Sequence, residues 1–240
     1  MKNIALIFAG GTGQRMNSKT VPKQFLELYG KPIIIYTLEM FNNHPDIDGI
    51  VVVCLETWID KLEKMIKKFD IEKVISVVPG GTSGQDSIFQ GLKAIYENYP
   101  NDAYVLVHDG VRPLIDVETI SKCIECVHEN GSAITVVPAM ETIVLKSDEN
   151  EFGDIVDRKK CRLARAPQCF KVSELYEAHL KARSENRDDF IDSAQLMNWY
   201  GTRLFEVLGQ PENIKITTPG DFYVFRAILN ARENSQIFGL

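Results

Sequence analysis

Residues 4–13 read Ile-Ala-Leu-Ile-Phe-Ala-Gly-Gly-Thr-Gly, an apolar run that leads directly into a glycine-rich turn. A short apolar run bounded by glycine is typical of a strand that is covered on both faces of a sheet. It is too short to cross a membrane, which takes about 20 apolar residues, and it lacks the small-residue cleavage site of a signal peptide. The stretch therefore predicts a central β-strand with a glycine-rich turn at its carboxyl end.

Similar apolar runs recur along the chain and alternate with longer amphipathic segments. Strands are predicted at residues 4–8, 50–54, 74–78, 104–108, 133–137 and 204–208. Helices are predicted from residue 56 and at residues 86–99, 117–129, 173–184 and 219–234, the last of them capped by Thr218. This alternation predicts an α/β fold, a Rossmann-like and mostly parallel sheet with helices on both faces. Ligands of such sheets bind beyond the carboxyl ends of the strands.

Residues 141–161 break the alternation. Two short extended stretches, 142–146 and 154–156, surround a turn-rich run, and this pattern predicts a protruding β-hairpin arm. An isolated two-stranded hairpin is marginally stable in water, so we expect the arm to pack against something else, such as a second subunit. Residues 1–240 otherwise contain no repeat or linker and are predicted to form a single domain that carries the arm.

The composition excludes several classes of protein. The 240 residues include 27 Lys and Arg against 33 Asp and Glu, and 45% are hydrophobic, as in an ordinary soluble globular protein. The net charge of −6 offers no basic footprint for nucleic acid, and no segment is long and apolar enough for a membrane partner. The odd number of cysteines, five, matches no disulfide framework, and we expect a cytoplasmic protein in which Cys123 and Cys126 are helix thiols.

A first motif follows the first predicted strand and reads Ala9-Gly10-Gly11-Thr12-Gly13-Gln14-Arg15-Met16, then Pro22-Lys23-Gln24. Glycines let the backbone approach a ligand and aim amide N–H groups at phosphate oxygens, and Arg15 and Lys23 add positive charge. A plain strand-to-helix turn with solvated charges would use the same residues. A dinucleotide fingerprint would need glycine where Met16 stands, and a P-loop lysine would follow glycine, whereas Lys23 follows Pro22.

Two further motifs also lie at strand ends. Val107-His108-Asp109-Gly110-Val111-Arg112-Pro113 places Asp109 where a carboxylate can hold Mg²⁺ that is bridged to phosphates. Arg112 is either the partner of a structural ion pair or a substrate contact, and we expect His108 to be a packed residue rather than a base. Gly80-Gly81-Thr82-Ser83-Gly84-Gln85-Asp86-Ser87 is a second glycine-rich junction, where Ser87 either reads a base edge or simply starts a helix.

Together with Val156-Asp157-Arg158 and residues 166–170, 191–194 and 213–221, these motifs resemble the family of the 2-C-methyl-D-erythritol 4-phosphate and ribitol-5-phosphate cytidylyltransferases over nearly the whole chain. The resemblance implies that CMP is transferred from CTP to a sugar-alcohol phosphate, with release of pyrophosphate and with Mg²⁺ or another divalent cation as cofactor. Methylerythritol phosphate is the first expectation for the acceptor, and ribitol 5-phosphate or another polyol phosphate is the alternative. A nucleotide-binding regulatory protein without activity is the alternative from another class.

The resemblance also implies roles for individual residues. The catalytic residues would be Arg15, Lys23 and Lys215. The residues that bind CTP would be Ala9, Gly10, Gly11, Thr12, Gly13, Gly81, Ser87 and Asp109, the last of which would also hold the metal. The residues that bind the acceptor would be Arg112, Thr142, Arg158, Ala166, Ile191 and Asp192. The resemblance further implies a homodimer that exchanges its arms, so that Arg158 would serve the partner's site.

This sequence departs from its relatives at three positions. They usually carry arginine where Gly84 stands, and the erythritol enzymes usually carry threonine where Ala166 and Ile191 stand. If both of the latter positions line the acceptor pocket, the lost hydroxyls predict weaker use of methylerythritol phosphate than of a longer polyol phosphate. The alternative is that both side chains take part only in local packing.

Overall fold

The computed structural model describes residues 1–11, 21–147 and 151–238, with side chains described as far as residue 234. The strands are β1 Lys2–Ala9, β2 Glu27–Leu28, β3 Lys31–Pro32, β4 Gly49–Cys54, β5 Val74–Pro79, β6 Ala103–Asp109, β7 Ser132–Pro138, β8 Ile143–Lys146, β9 Phe152–Val156, β10 Arg162–Lys171 and β11 Glu206–Leu208. The α-helices are α1 Ile33–Asn42, α2 Ile59–Lys68, α3 Gly84–Asn98, α4 Val117–Asn130, α5 Val172–Ser184, α6 Ser193–Trp199 and α7 Pro219–Phe238.

Seven strands form one sheet in the order β11-β7-β10-β6-β1-β4-β5. All neighbours in the sheet are parallel except β10, which runs antiparallel to β6 and to β7. The predicted mostly parallel α/β sheet is therefore confirmed, with β1 in its interior between β6 and β4. Because β1, β4, β5 and β6 run side by side in the same direction, the loops at their carboxyl ends meet at one edge.

Helices cover both faces of the sheet, as predicted. Ala5 and Ile7 of β1 pack into a cluster with buried residues of α1, α2 and α4, whereas Ile4 and Leu6 pack with buried residues of α3, α5 and α6. Alternate side chains of one strand thus enter two different cores, which explains why β1 is apolar at nearly every position. Helix α3 lies so close to the sheet that a Cβ on Gly91 would overlap the side chains of Leu6 and Val53.

Five elements were not predicted from the sequence, namely α1, α6, β10 and the short strands β2 and β3. The predicted strand at 204–208 begins only at Glu206, whereas the other predicted strands and helices are present with ends shifted by a few residues. Strand β10 is exposed in its first half and buried in its second, and its register shifts between Ala164 and Gln168. Such a strand has neither the alternation of a half-covered strand nor the continuous apolar run of a buried one.

The predicted hairpin is present as a separate two-stranded sheet, in which β8 and β9 pair antiparallel. Its second strand begins at Phe152, two residues before the predicted start. The side chains of Met140, Leu145, Phe152 and Ile155 on and beside this arm are exposed.

The cysteines and the helix composition bear on the class of protein rather than on the ligand site. Cys123 and Cys126 are free thiols within α4, the first buried and the second half-buried. Among the described residues, no helix combines the length and the apolar composition that a membrane crossing requires.

Candidate active site

A cavity of about 740 Å³ opens at the carboxyl ends of β1, β4, β5 and β6. This is the edge where the sequence predicts a ligand site. The described residues that line the cavity are Phe8, Ala9, Gly10, Gly11, Lys23, Gln24, Leu55, Gly81, Thr82, Ser83, Gly84, Ser87, Asp109, Val111, Lys215 and Thr217.

The start of the first glycine-rich loop is held by Gln24. The amide Nε2 of this buried side chain donates hydrogen bonds to the carbonyl oxygens of Ala9 at 2.6 Å and Gly11 at 3.2 Å. Lys23, directly before it, begins a short 3₁₀ helix and faces the cavity. Three predicted site residues of this motif, Thr12, Gly13 and Arg15, lie outside the described residues.

The second glycine-rich junction meets the first at Ser87. The Ser87 hydroxyl accepts a hydrogen bond from the Gly81 backbone N–H at 3.1 Å, and a Cβ on Gly10 would lie 3.0 Å from the same oxygen. Both alternatives for Ser87 are therefore compatible with its position, because it lies in the first turn of α3 and also lines the cavity. Gly84 is the first residue of α3, and a Cβ there would meet no atom of the described chain within 4 Å.

The acidic floor of the cavity is Asp109, which is held by two cations. The Arg112 Nε donates to Asp109 Oδ2 at 2.7 Å, and the Lys215 Nζ donates to Oδ1 at 2.5 Å. Burial alone would raise the pKa of Asp109, but Arg112 and Lys215 outweigh it and lower the pKa to about 2. Asp109 is therefore ionised at neutral pH.

Lys215 reaches the site because its neighbour anchors the chain. Ile216 is buried in a cluster with Val111 and Phe225 of α7, and its backbone N–H donates to the Val111 carbonyl at 2.9 Å. Lys215 and Thr217, on either side of Ile216, line the cavity.

His108 takes no part in the cavity, and its position agrees with the prediction that it is a packed residue. It is buried, its Nε2 lies 3.2 Å from the Arg112 carbonyl oxygen, and burial lowers its pKa to about 4. A neutral imidazole at this depth does not reach a ligand in the cavity.

Asp109 is also the only predicted metal ligand, and its surroundings fit a magnesium ion that phosphates help to hold. Mg²⁺ is usually bound by one or two carboxylates together with substrate phosphates rather than by an all-protein cage. Within the described ranges, no group of three or more His, Cys, Asp and Glu side chains could hold a metal alone. Asp109 is ionised and faces the cavity, so it can supply the single protein carboxylate of such a site.

The residues predicted to bind the acceptor do not line this cavity. Arg112 is buried, and besides Asp109 it binds the Asn213 carbonyl through Nη1 at 3.0 Å, which supports the structural ion pair among its two alternatives. Thr142 lies directly before β8 and is exposed. Arg158 follows β9, is exposed, and donates to the Met140 carbonyl at 2.7 Å.

The other three acceptor candidates lie at β10 and at the start of α6. The Ala166 side chain is buried, and its carbonyl accepts a hydrogen bond from Asn213 Nδ2 at 2.7 Å. Ile191 is 87% exposed. Asp192 caps α6 by accepting from the Gln195 backbone N–H at 2.8 Å, and Gln168 Nε2 donates to its other oxygen at 2.9 Å.

Sequence reasoning missed several cavity residues. Gln24 directly follows the predicted catalytic lysine but was given no role of its own. Thr82 and Ser83 lie within the second glycine-rich motif, and Ser83 caps α3 by accepting from the Asp86 backbone N–H at 3.0 Å. Thr217 precedes the predicted cap Thr218, and both backbone N–H groups donate to the Asp221 carboxylate. The reciprocal Thr-x-x-Asp pattern at this helix start is a signal that could have marked the segment.

Comparisons with known proteins agree with this geometry. Residues 3–231 match the family model IspD, 2-C-methyl-D-erythritol 4-phosphate cytidylyltransferase. A ribitol-5-phosphate cytidylyltransferase of Vibrio parahaemolyticus is 53% identical over 237 residues, which are 99% of this chain and 100% of the relative. One of Streptococcus agalactiae serotype V is 50% identical over the full length of both chains.

More distant relatives are named for methylerythritol phosphate or its cytidylyl product. A 2-C-methyl-D-erythritol 4-phosphate cytidylyltransferase of Clostridium botulinum is 38% identical over 228 residues, which are 95% of this chain and 97% of the relative. The crystal structure of a 4-diphosphocytidyl-2C-methyl-D-erythritol synthase from Anaerococcus prevotii superimposes with a TM-score of 0.81 at 27% identity, covering 95% of this chain and 96% of that one.

Proposed function

Because this chain belongs to the IspD family of cytidylyltransferases, we propose that it transfers CMP from CTP to D-ribitol 5-phosphate and releases pyrophosphate. Cytidylyl transfer to a polyol phosphate is the activity of the family. The observation that carries the choice of acceptor is the full-length identity of 50–53% to proteins named for ribitol 5-phosphate, against 38% to a protein named for methylerythritol phosphate. The methylerythritol enzyme, our first expectation from the sequence, thereby becomes the second candidate.

In this proposal CTP occupies the cavity at the strand ends. Its triphosphate lies over Gly10 and Gly11, where bare backbone lets amide N–H groups approach phosphate oxygens. Its cytosine lies against the loop of residues 81–83 and Ser87, which also line the cavity. Thr12, Gly13 and Arg15 keep their predicted roles toward the phosphates.

The reaction needs no general base. The acceptor phosphate is already an anion, so one of its oxygens forms a bond to the α-phosphorus of CTP while the bond from that phosphorus to the bridging oxygen of pyrophosphate breaks. The barrier arises from bringing two polyanions together and from charge that develops during the displacement. Lys23 and Lys215 face the cavity and supply positive charge against both effects.

Asp109 has two duties in this scheme. Through its contact with Lys215 it orients the ammonium group of that residue toward the cavity. It would also hold Mg²⁺ together with oxygens of the triphosphate, and the ion when bound would offset negative charge on the phosphates. The cluster of Asp109, Arg112 and Lys215 contains one negative and two positive groups, so it remains attractive to an anionic substrate.

The proposal includes a homodimer in which the arm contacts a second copy. Met140, Leu145, Phe152 and Ile155 expose apolar surface on and beside the arm, and a two-stranded hairpin is too small to be stable without further packing. In such a dimer Arg158 would reach the partner's cavity with a positive charge for the acceptor phosphate.

Pyrophosphate release tests the proposal. Purified protein is assayed with CTP, UTP, GTP and ATP, each combined with ribitol 5-phosphate or methylerythritol 4-phosphate. Of the four nucleotides, we expect only CTP to support turnover. With CTP, we expect a higher kcat/KM for ribitol 5-phosphate than for methylerythritol 4-phosphate. A higher kcat/KM for methylerythritol phosphate would restore the first expectation. Tight CTP binding without turnover on any polyol phosphate would support the regulatory protein instead.

A further inference from the structure

The loop of residues 81–83, which lines the cavity, is folded around the carboxylate of Asp86. The Thr82 backbone N–H donates to Asp86 Oδ2 at 3.1 Å, and a Cβ on Gly81 would overlap this oxygen. The Asp86 backbone N–H in turn donates to Ser83 Oγ at 3.0 Å. The conformation of all three loop residues therefore depends on the position of Asp86.

The other oxygen of Asp86 is held from outside the cavity. Arg183, in the last turn of α5, donates from Nη1 to Asp86 Oδ1 at 2.6 Å. The Arg183 guanidinium also lies 4.5 Å from the ring centre of Phe89, one turn further along α3. Burial alone would raise the pKa of Asp86, but the hydrogen bonds from Arg183 and Thr82 outweigh it and lower the pKa, so this carboxylate is ionised at neutral pH.

The preceding residue makes a second link to the same region. Gln85 Nε2 donates to the Arg187 carbonyl at 3.1 Å, and the Phe190 backbone N–H donates to Gln85 Oε1 at 3.3 Å. Two successive residues in the first turn of α3 are thus tied to α5 and to the chain that follows it.

We propose that Arg183 is a positioning residue for the nucleotide: acting through Asp86, it fixes the loop of residues 81–83 in the conformation that receives the base of CTP. The inference rests on the proposed function, because it takes CTP as the occupant of the cavity. Arg183 itself does not line the cavity, so it would act without contacting the substrate.

The proposal has a kinetic signature. A loop that is already ordered loses less conformational freedom when its ligand binds, so pre-organisation strengthens binding. The base lies at the far end of CTP from the displaced pyrophosphate and is contacted equally before and during transfer. Loss of the contact should therefore raise the KM for CTP and leave kcat unchanged.

The decisive variant is Arg183→Met, which keeps an unbranched apolar stem over Phe89 and removes the charge. We expect the Kd and the KM for CTP to rise about three- to fivefold, the range for a half-exposed ion pair, with kcat and the KM for the acceptor unchanged. Arg183→Lys, which keeps the charge but loses the forked geometry, should fall between the wild type and Arg183→Met.

The matched control is Lys181→Met on the same helix. Lys181 also lies over an aromatic ring, that of Tyr200, at 4.5 Å, but it makes no contact with the loop of residues 81–83. The control loses one positive charge and should bind CTP as the wild type does. Combining Arg183→Met with Asp86→Asn should raise the Kd for CTP by less than the product of the two single effects, because both changes break one interaction.

Two results would overturn the inference while the proposed function stands. One is an unchanged Kd for CTP in Arg183→Met together with a lower melting temperature, which would make the pair purely structural. The other is a lower kcat with an unchanged KM. If Arg183→Met does not fold, Arg183→Lys and Asp86→Asn carry the same test. A wild-type protein that does not bind CTP would overturn the proposed function and this inference with it.

Discussion

On the nucleotide side of the molecule, each described residue that the sequence motifs assign to CTP lines one cavity, whereas on the acceptor side none of the six assigned residues does. The residues assigned to CTP lie at or near the ends of neighbouring parallel strands. The acceptor residues are distributed over the arm, strand β10, the start of α6 and a buried ion pair.

The difference reflects how each set is positioned. Parallel strands that lie side by side bring their carboxyl ends together whatever else the chain does, so a motif next to a strand is placed by local sequence. Arg158 and Ile191 are exposed on this chain, and only a further surface, such as that of a second subunit, can complete a site around them. The residues assigned to CTP therefore come together within one chain, whereas those assigned to the acceptor do not.

The largest effect should come from the nucleotide side. Lys23→Ala should lower kcat by roughly 10²–10³, the range for removal of one pre-organised electrostatic group from an active site. Lys64→Ala, on the exposed surface of α2, is the matched control and should keep wild-type turnover. Turnover of Lys23→Ala near that of the wild type would remove the lysine from the mechanism and weaken the contrast between the two sides.

Acid should destabilise the folded chain through two buried histidines, His108 beside Asp109 and His179 in α5. Burial lowers the pKa of His108 from its ordinary value of 6.5 to about 4, and that of His179 in α5 likewise to about 4. Between pH 6.5 and 4 the unfolded chain binds protons that the folded chain does not, so the free energy of unfolding falls as the pH is lowered. Each histidine contributes about 3 kcal/mol over this window.

Urea unfolding at several pH values checks this dependence. His179→Leu removes one of the two titrations and also a ring whose nitrogens have no hydrogen-bond partner among the described residues, so its stability should fall less steeply below pH 6.5. Asp109 acts in the same sense but at lower pH, because its stabilising contribution is complete above about pH 4 and is lost as the pH approaches 2. If the free energy of unfolding fell equally steeply with pH in the wild type and in His179→Leu, the lowered pKa of His179 would be contradicted.

Mixing two inactive variants should show whether a partner completes the acceptor side. If Arg158 serves the opposite subunit, Arg158→Ala mixed with Lys23→Ala yields mixed dimers in which one site has both defects and the other has none. Random pairing at equal amounts should restore about a quarter of wild-type activity. If the mixture is no more active than the sum of the separate variants, Arg158 acts in the cavity of its own subunit. Both the nucleotide side and the acceptor side would then be formed by one chain.

The smallest effect is expected at the two positions where relatives carry threonine. Ala166 is 5% exposed and Ile191 is 87% exposed, so within this chain one is packed and the other points to solvent. Changing both to threonine should alter the ratio of kcat/KM for ribitol 5-phosphate and methylerythritol phosphate by less than about threefold. A tenfold change would assign these residues to the acceptor pocket and narrow the difference between the two sides.

The residues themselves show why the sequence predicted one side and not the other. Asp109 ends the buried strand β6, and Gly81 lies two residues after the end of the apolar strand β5. Such apolar runs are visible in a single sequence. Gln24 and Gln168 are buried amides with partners 13–15 and 24–26 positions away, and such distant pairings are not visible in a single sequence. Strand β10 was missed because it passes from an exposed to a buried setting within one element, which no fixed period describes.

The crowding at Gly91 has a consequence for anyone who redesigns nucleotide choice. The first turn of α3, which holds Asp86 and Ser87, begins seven residues before Gly91, about 10 Å away along the helix axis. A methyl group at Gly91 would meet Leu6 and Val53 and force the helix away from the sheet. If the helix moves as a rigid body, Asp86 and Ser87 in its first turn move with it. A mutant library confined to the cavity wall would miss this position, because Gly91 does not line the cavity, yet the size of its side chain sets how closely α3 packs on the sheet.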